Sequence, residues 1–196
     1  MPCGVGDWAV ALRSPEGTLA ARVCPFDPAY WAFVDLCREC AGNRWLPRIE
    51  LAAGLEGGGS IVFLEFVAPV DHPVAGQFAG QWRTRAGDAE FKEVRRAAQM
   101  IDAQYRESTP WWGRCDLDDA HVFRAADERP VLIDVFCMAG TELYRAIPRR
   151  RHRGAPPDSA RADALRARHP VYRPGEQCRR DPRPQKGLGT RGRMTA

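Results

Sequence analysis

Three aspartates and a histidine crowd one short stretch, Cys115-Asp116-Leu117-Asp118-Asp119-Ala120-His121, and a further aspartate, Asp134, interrupts the apolar run Val131–Phe136. Carboxylates this close repel one another, and one inside an apolar run must be paired, protonated or bound to a cation. Asp116 and Asp134 are 18 positions apart. A hairpin between them would bring both to one end. There one carboxylate could orient a hydroxyl or accept its proton, and the other could hold Mg2+ on a polyphosphate. A calcium loop is excluded: position five of the cluster is Ala120, and neither the central glycine nor the closing glutamate is in place.

The elements that would position these residues are legible in outline. Asp7-Trp8-Ala9-Val10-Ala11-Leu12 and Leu19–Cys24 read as two β runs around a Ser-Pro-Glu-Gly turn. Asp27 is an N-cap, Pro28 a first helical residue and Gly42 a residue past the helix end, with Tyr30, Phe33, Val34 and Cys37 on one face. Two strands follow across the glycines 57–59, the second over 60–67. A long helix then begins near Ala89, its inner face carrying Phe91, Val94, Ala98 and Ile101. Trp111 and Trp112 are expected to pack beneath the acidic loop. A short strand at Val122–Phe123, a turn at Asp127–Pro130 and a strand over Val131–Val135 complete the body. This is an α+β arrangement, an antiparallel sheet with one helix first and a mostly helical part second.

This order resembles the protein-kinase-like superfamily, which includes the aminoglycoside phosphotransferases. Arg114-Cys115-Asp116-Leu117 is similar to its catalytic loop, and Asp134-Val135-Phe136 to its Asp-Phe-Gly segment, at the spacing usual in the family. The resemblance implies that Asp116 is the catalytic aspartate and that His121 and Asp134 bind Mg2+. Upstream, Gly4 and Gly6 resemble a glycine-rich loop, and Arg22 in Leu-Ala-Ala-Arg-Val stands where the family has its phosphate-binding lysine. Glu39, or else Asp35, would be the ion-pair partner of Arg22. Glu65 to Val67 would offer backbone to an adenine. The implied cofactors are ATP and Mg2+. The implied activity is phosphate transfer to a hydroxyl, of a protein Ser/Thr before a small molecule. An inactive pseudokinase that binds without transfer is the alternative. The match spans roughly residues 4–138, with an N-lobe over 1–68 and a shortened C-lobe over 69–148.

Composition sets the remaining expectations. From Arg149 onward there are 14 basic and 4 acidic residues, a net of +10 in a chain whose total is +4, so the body is acidic. The stretch 149–196 is rich in Pro, Gly and Arg and poor in apolar residues, and is expected to stay unfolded. It could contact an acidic partner or nucleic acid, though Tyr172 is its one aromatic. Seven cysteines without a secretion signal suggest reduced thiols and a cytoplasmic protein with no membrane span. Cys37 and Cys40 form a CxxC whose helical flanks favour two thiols on neighbouring helix positions over a metal or redox pair.

Overall fold

The computed structural model describes residues 1–5, 9–115 and 117–142. In chain order the elements are β1 (Pro2–Val5), β2 (Val10–Arg13), β3 (Leu19–Cys24), α1 (Pro28–Glu39), β4 (Ile49–Gly54), β5 (Ser60–Glu65), β6 (Val67–Pro69), α2 (His72–Thr84), α3 (Ala89–Ser108), β7 (Trp112–Cys115), β8 (Val122–Ala125), β9 (Pro130–Leu132) and β10 (Phe136–Met138). The α+β class stands. A five-stranded antiparallel sheet, ordered β1-β2-β3-β5-β4, is joined by a three-stranded sheet β6-β8-β9 and a two-stranded ribbon β7-β10.

The helices form where their caps and apolar stripes require. Asp27 accepts from the Tyr30 amide at 3.3 Å, Pro28 opens α1, and Gly42 takes a positive φ of 85° beyond its end. Tyr30, Phe33, Val34 and Leu36 are all buried against the sheet and α3. Asp88 caps α3 through the Phe91 amide at 2.8 Å, and Phe91, Val94, Ala98 and Ile101 are buried as the pattern indicates. Among the described residues no helix is long and apolar enough to cross a membrane.

Three features depart from the sequence reading. The first is α2, which the pattern conceals. Its first turn holds Pro73, its interior holds Gly76 and Gly80, and only Ala75 and Ala79 are fully buried. Packing supplies what propensity withholds: Phe78 meets Trp45 edge-on at 5.1 Å, and Trp82 meets Phe91 at 5.8 Å. Second, the strand expected over 60–67 breaks at Phe66. The Phe66 amide donates to Thr18 O at 2.8 Å, in the turn just before β3, and Val67 then pairs with Ala125 in the second sheet. Third, the strand expected over Val131–Val135 ends at Leu132, because Asp134 turns the backbone with a φ of 58°. The chain resumes as β10, whose Phe136 pairs with Cys115 of β7. Gly113 permits that ribbon: a Cβ there would lie 2.6 Å from Cys137 O.

The crossing from sheet to sheet is braced by charge. Glu65 is buried, and its carboxylate accepts from the Arg48 amide at 3.0 Å and from the Arg129 guanidinium. Arg129 also donates to Arg44 O at 2.8 Å and Leu46 O at 3.2 Å, tying the β8–β9 turn to the β4 approach. The Leu132 amide reinforces this by donating to Trp45 O at 2.8 Å. Removing one member of a buried pair strands the other charge. Arg129→Ala is therefore expected to lower unfolding free energy by about 3 kcal/mol, read from urea denaturation, whereas the exposed Arg124→Ala should change it by under about 1 kcal/mol.

Candidate functional site

Between the five-stranded sheet and the β6-β8-β9 sheet lies a cleft of about 390 Å3. Small side chains form its roof: Gly4 from β1, Ala11 from β2 and Ala20 from β3. Leu64 and Tyr30 close the back, Phe66 and Val67 form one wall, and Phe123 and Ile133 make the floor. Arg22 and Asp134 are its charged members. A mostly apolar slot with a few convergent polar groups, in the size range of about 300–1,000 Å3, is the usual form of a small-molecule site.

Arg22 is set by its strand. In β3 it pairs in register with Ala11 and Val62, so it shares the inner face with the buried core residues of β5. Its Nη2 donates to Asp27 Oδ2 at 2.6 Å and lies 3.8 Å from Asp134 Oδ2. The guanidinium stacks on the Tyr30 ring at 3.7 Å. Burial opposes its charge, but Tyr30, Asp134 and Asp27 together outweigh burial and raise its pKa. Burial likewise pushes the Tyr30 phenol upward, so that it stays neutral. The other terminal nitrogen, Nη1, is buried with no hydrogen-bond partner among the described residues. A buried charged donor left without an acceptor is costly.

Asp134 has the left-handed backbone that Asp tolerates better than most residues. Its carboxyl is raised above the ordinary range: burial pushes it up, Arg22 opposes, Asp27 adds to the rise and His121 opposes. Non-glycine residues in this conformation concentrate at functional sites.

Of the residues chosen from sequence, the fold brings Gly4, Arg22, Val67 and Asp134 to one cleft. A Cβ on Gly4 would make only ordinary contact with Ala11 at 3.6 Å, so the protein's own packing does not demand glycine there. Glu39 is exposed on α1 and does not meet Arg22. The alternative, Asp35, is bonded to Arg38 at 3.1 Å and accepts from the Tyr105 hydroxyl at 2.7 Å. The N-cap Asp27 takes that partner's place, a role the sequence signalled only as helix capping. Glu65 turns its side chain to Arg129, and its amide donates to Arg48 O at 2.9 Å. Asp116 and Gly6 lie outside the described residues, as does everything from 143 onward, including the basic stretch.

His121 stands beside the cleft floor. Its carbonyl accepts from the Ile133 amide at 2.9 Å, and its Nδ1 lies 3.2 Å from the Asp118 amide and 3.0 Å from Asp118 Oδ1. Only Nε2 is left for a ligand. Among the described residues no three His, Cys, Asp or Glu side chains converge as a metal cage. The Cys37 and Cys40 thiols are buried, the first pushed well above its ordinary pKa and the second to about 11, in each case chiefly by burial. They are inert packing groups at neutral pH.

The approach to Asp116 is held by a residue that sequence reading missed. Asp102 on α3 accepts from Trp112 Nε1 at 3.0 Å, the Cys115 amide at 2.9 Å and Arg106 at 2.8 Å. Burial would raise its pKa, but the bonds from Arg106, Trp112 and Cys115 win and lower it. The Trp112 ring is tilted against Tyr105 at 5.2 Å and Phe136 at 5.7 Å, and Trp111 is half-buried with a positive φ of 58°.

No known family model and no curated protein matches the chain.

Two outcomes follow. Asp27→Ser keeps an N-cap oxygen but strands the Arg22 charge it pairs with, so it should lower unfolding free energy by about 3 kcal/mol, and Asp27→Ala, which also loses the cap, by about 1 kcal/mol more. Thermal melts of the two variants check this. A carboxyl depressed in the folded state stabilises above its unfolded pKa, and that stability is lost as pH falls through the folded value. Asp102→Asn should thus be less stable than wild type at neutral pH, with the gap closing below about pH 4, read from melting temperature against pH.

Proposed function

We propose that the chain is a kinase-like nucleotide-binding protein whose cleft takes ATP with Mg2+ and whose acidic loop serves phosphate transfer to a hydroxyl acceptor. The observation that carries this reading is Arg22: a guanidinium fixed in the wall of an apolar slot, 3.8 Å from an aspartate that lines the same slot. That juxtaposition suits a polyphosphate.

The residues divide the work by chemistry. A planar base would lie between Ala11 and Ala20 above and Phe123 and Ile133 below, with Val67 at its edge. Arg22 would contact phosphate oxygens, its orientation fixed by Asp27 and Tyr30 before any ligand arrives. Asp134 suits Mg2+, which commonly takes one or two carboxylates and completes its shell with phosphate and water. His121 offers only Nε2, and imidazole is a poor match for this hard cation, so Asp134 is the principal metal ligand in this reading. Mg2+ would supply charge neutralisation at the phosphates. Asp116 would accept the acceptor's hydroxyl proton. The register that pairs Cys115 with Phe136 supports this, because it sets the chain preceding Asp116 beside the chain that follows Asp134.

A binding module without transfer is the second reading, and one observation favours it. Glu39, expected to hold the phosphate-contacting cation, is exposed and unengaged with it, and that cation is already bonded to Asp27.

Melting curves with Mg-ATP test nucleotide binding. A ligand that binds only the folded state stabilises it, by about 2.7 kcal/mol at 100 times its dissociation constant. Asp134→Asn should abolish the Mg2+-dependent part of the rise. A carboxyl whose pKa is raised by folding destabilises the fold once ionised. The same variant should therefore melt at or above wild type without nucleotide, since asparagine also tolerates the left-handed backbone. No rise at millimolar Mg-ATP would sink the nucleotide reading. A rise without measurable turnover on any hydroxyl acceptor would select the binding module.

A further inference from the structure

Four side chains that line the cleft can form hydrogen bonds: Cys3, Arg22, Tyr30 and Asp134. The Cys3 thiol is exposed and a weak donor. Arg22 is engaged by Asp27, and Asp134 stands beside it. Tyr30 differs from all three. It is 2% exposed, yet its contacts run through its amide and its ring. The amide donates to Asp27 Oδ1 at 3.3 Å and to Asp27 O at 3.2 Å. The ring lies 3.7 Å from the Arg22 guanidinium and 5.3 Å from the Phe33 ring. Among the described residues the phenol oxygen has no hydrogen-bond partner. A buried tyrosine hydroxyl usually finds one, and a hydroxyl that does not lowers stability. Phenylalanine would close the back of the slot and pack on Phe33 without that cost. The hydroxyl is the part of Tyr30 that the fold itself does not use.

Its setting fixes how it can act. Tyr30 belongs to the first turn of α1, and one carboxylate, Asp27, holds both its amide and the Arg22 guanidinium. Ring and cation are therefore oriented together before any ligand arrives. Burial pushes the phenol pKa upward; Arg22 opposes the rise and Asp134 adds to it. The hydroxyl keeps its proton at neutral pH and can donate it.

We propose that the Tyr30 hydroxyl is a ligand-binding donor, and that its acceptor is an anionic oxygen of the group that Arg22 and Asp134 flank. The inference rests on the nucleotide reading, in which that group is a phosphate. Charge selects the acceptor. With Mg2+ on Asp134, this end of the cleft holds three positive charges, from the metal and Arg22, against two negative ones, from Asp27 and Asp134. The surplus calls for an anion. A neutral donor makes a stronger hydrogen bond to an ionised oxygen than to a neutral one. The ring lies against the guanidinium, so the hydroxyl stays on the Arg22 side of the slot. The base, between Ala20 and Ile133, is left to apolar contacts. Arg22 thus supplies fixed charge, Asp134 a metal ligand, and Tyr30 a neutral donor to the same group.

Calorimetric titration of the full chain, wild type and Tyr30→Phe, with Mg-ATP, adenosine and Mg-tripolyphosphate tests this. The substitution keeps the ring on Arg22 and Phe33. It should weaken Mg-ATP and Mg-tripolyphosphate by at least about tenfold, the loss expected for a hydrogen bond to a charged group. Adenosine, which has no phosphate, should be unaffected. Without ligand the variant should melt at or above wild type, because it removes an unpartnered buried hydroxyl. Equal affinity of both chains for the phosphate ligands overturns the proposal. So does an equal weakening of adenosine, which would put the hydroxyl on the base or sugar. A lower melting temperature without ligand overturns it too, since the chain itself would then be using the hydroxyl. The nucleotide reading fails separately, if wild type binds neither Mg-ATP nor adenosine. Mg-tripolyphosphate then decides the anion contact alone: wild-type binding that Tyr30→Phe weakens upholds it, and no binding, or equal binding, overturns it.

Discussion

The structure turns on a buried guanidinium. Arg22 cannot lose its proton, so the inner face of β3 carries a fixed positive charge into a place that otherwise favours apolar groups. Every neighbour answers that charge. Asp27 binds it directly, Tyr30 presents its ring to it, and Asp134 waits 3.8 Å away. Because Asp27 also caps α1, the helix cannot move away from the sheet without leaving both its first turn and the guanidinium unsatisfied. The cation that would meet phosphate is therefore coupled to the start of the helix and not to its middle.

A second network fixes the cleft's opening. Glu65 and Arg129 join the end of β5 to the β8–β9 turn just where the chain passes from one sheet to the other. The roof of the slot belongs to the first sheet and much of its floor to the second, so this bridge and the Trp45 loop set the slot's height. Asp102 plays the corresponding part below, holding β7 by its first and last residues. The Glu65–Arg129 bridge spans 64 positions of sequence, whereas Asp102 reaches only 10 and 13 positions along the chain.

That distance explains what the sequence revealed and what it hid. Local signals were legible: the Asp27 and Asp88 caps, the stripes of α1 and α3, the hairpin of β2 and β3, and the aspartate inside an apolar run all carry their meaning within a few residues. Arg22, Val67 and Asp134 line one cleft. The partner of Arg22 was not legible, because Asp27 announced itself as a cap and gave no sign that its second oxygen faced the strand before it. Helix α2 was hidden by its glycines and depends on aromatic contacts with Trp45 and Phe91, which no local pattern shows. The end of β9 at Leu132 follows from a left-handed aspartate, and composition cannot announce a backbone angle. Gly113 carried no signal in the sequence, yet the β7-β10 ribbon closes only because it lacks a side chain.

The most direct measurement is a crystal structure of the full chain with Mg2+ and a non-hydrolysable ATP analogue. The expected result is a base seated between Ala20 and Ile133, a phosphate oxygen within hydrogen-bond distance of the Arg22 guanidinium, and a metal ion on Asp134. A cleft that stays empty at saturating analogue, or a nucleotide whose phosphates point away from Arg22 and Asp134, would contradict the assignment of these two residues to one phosphate site.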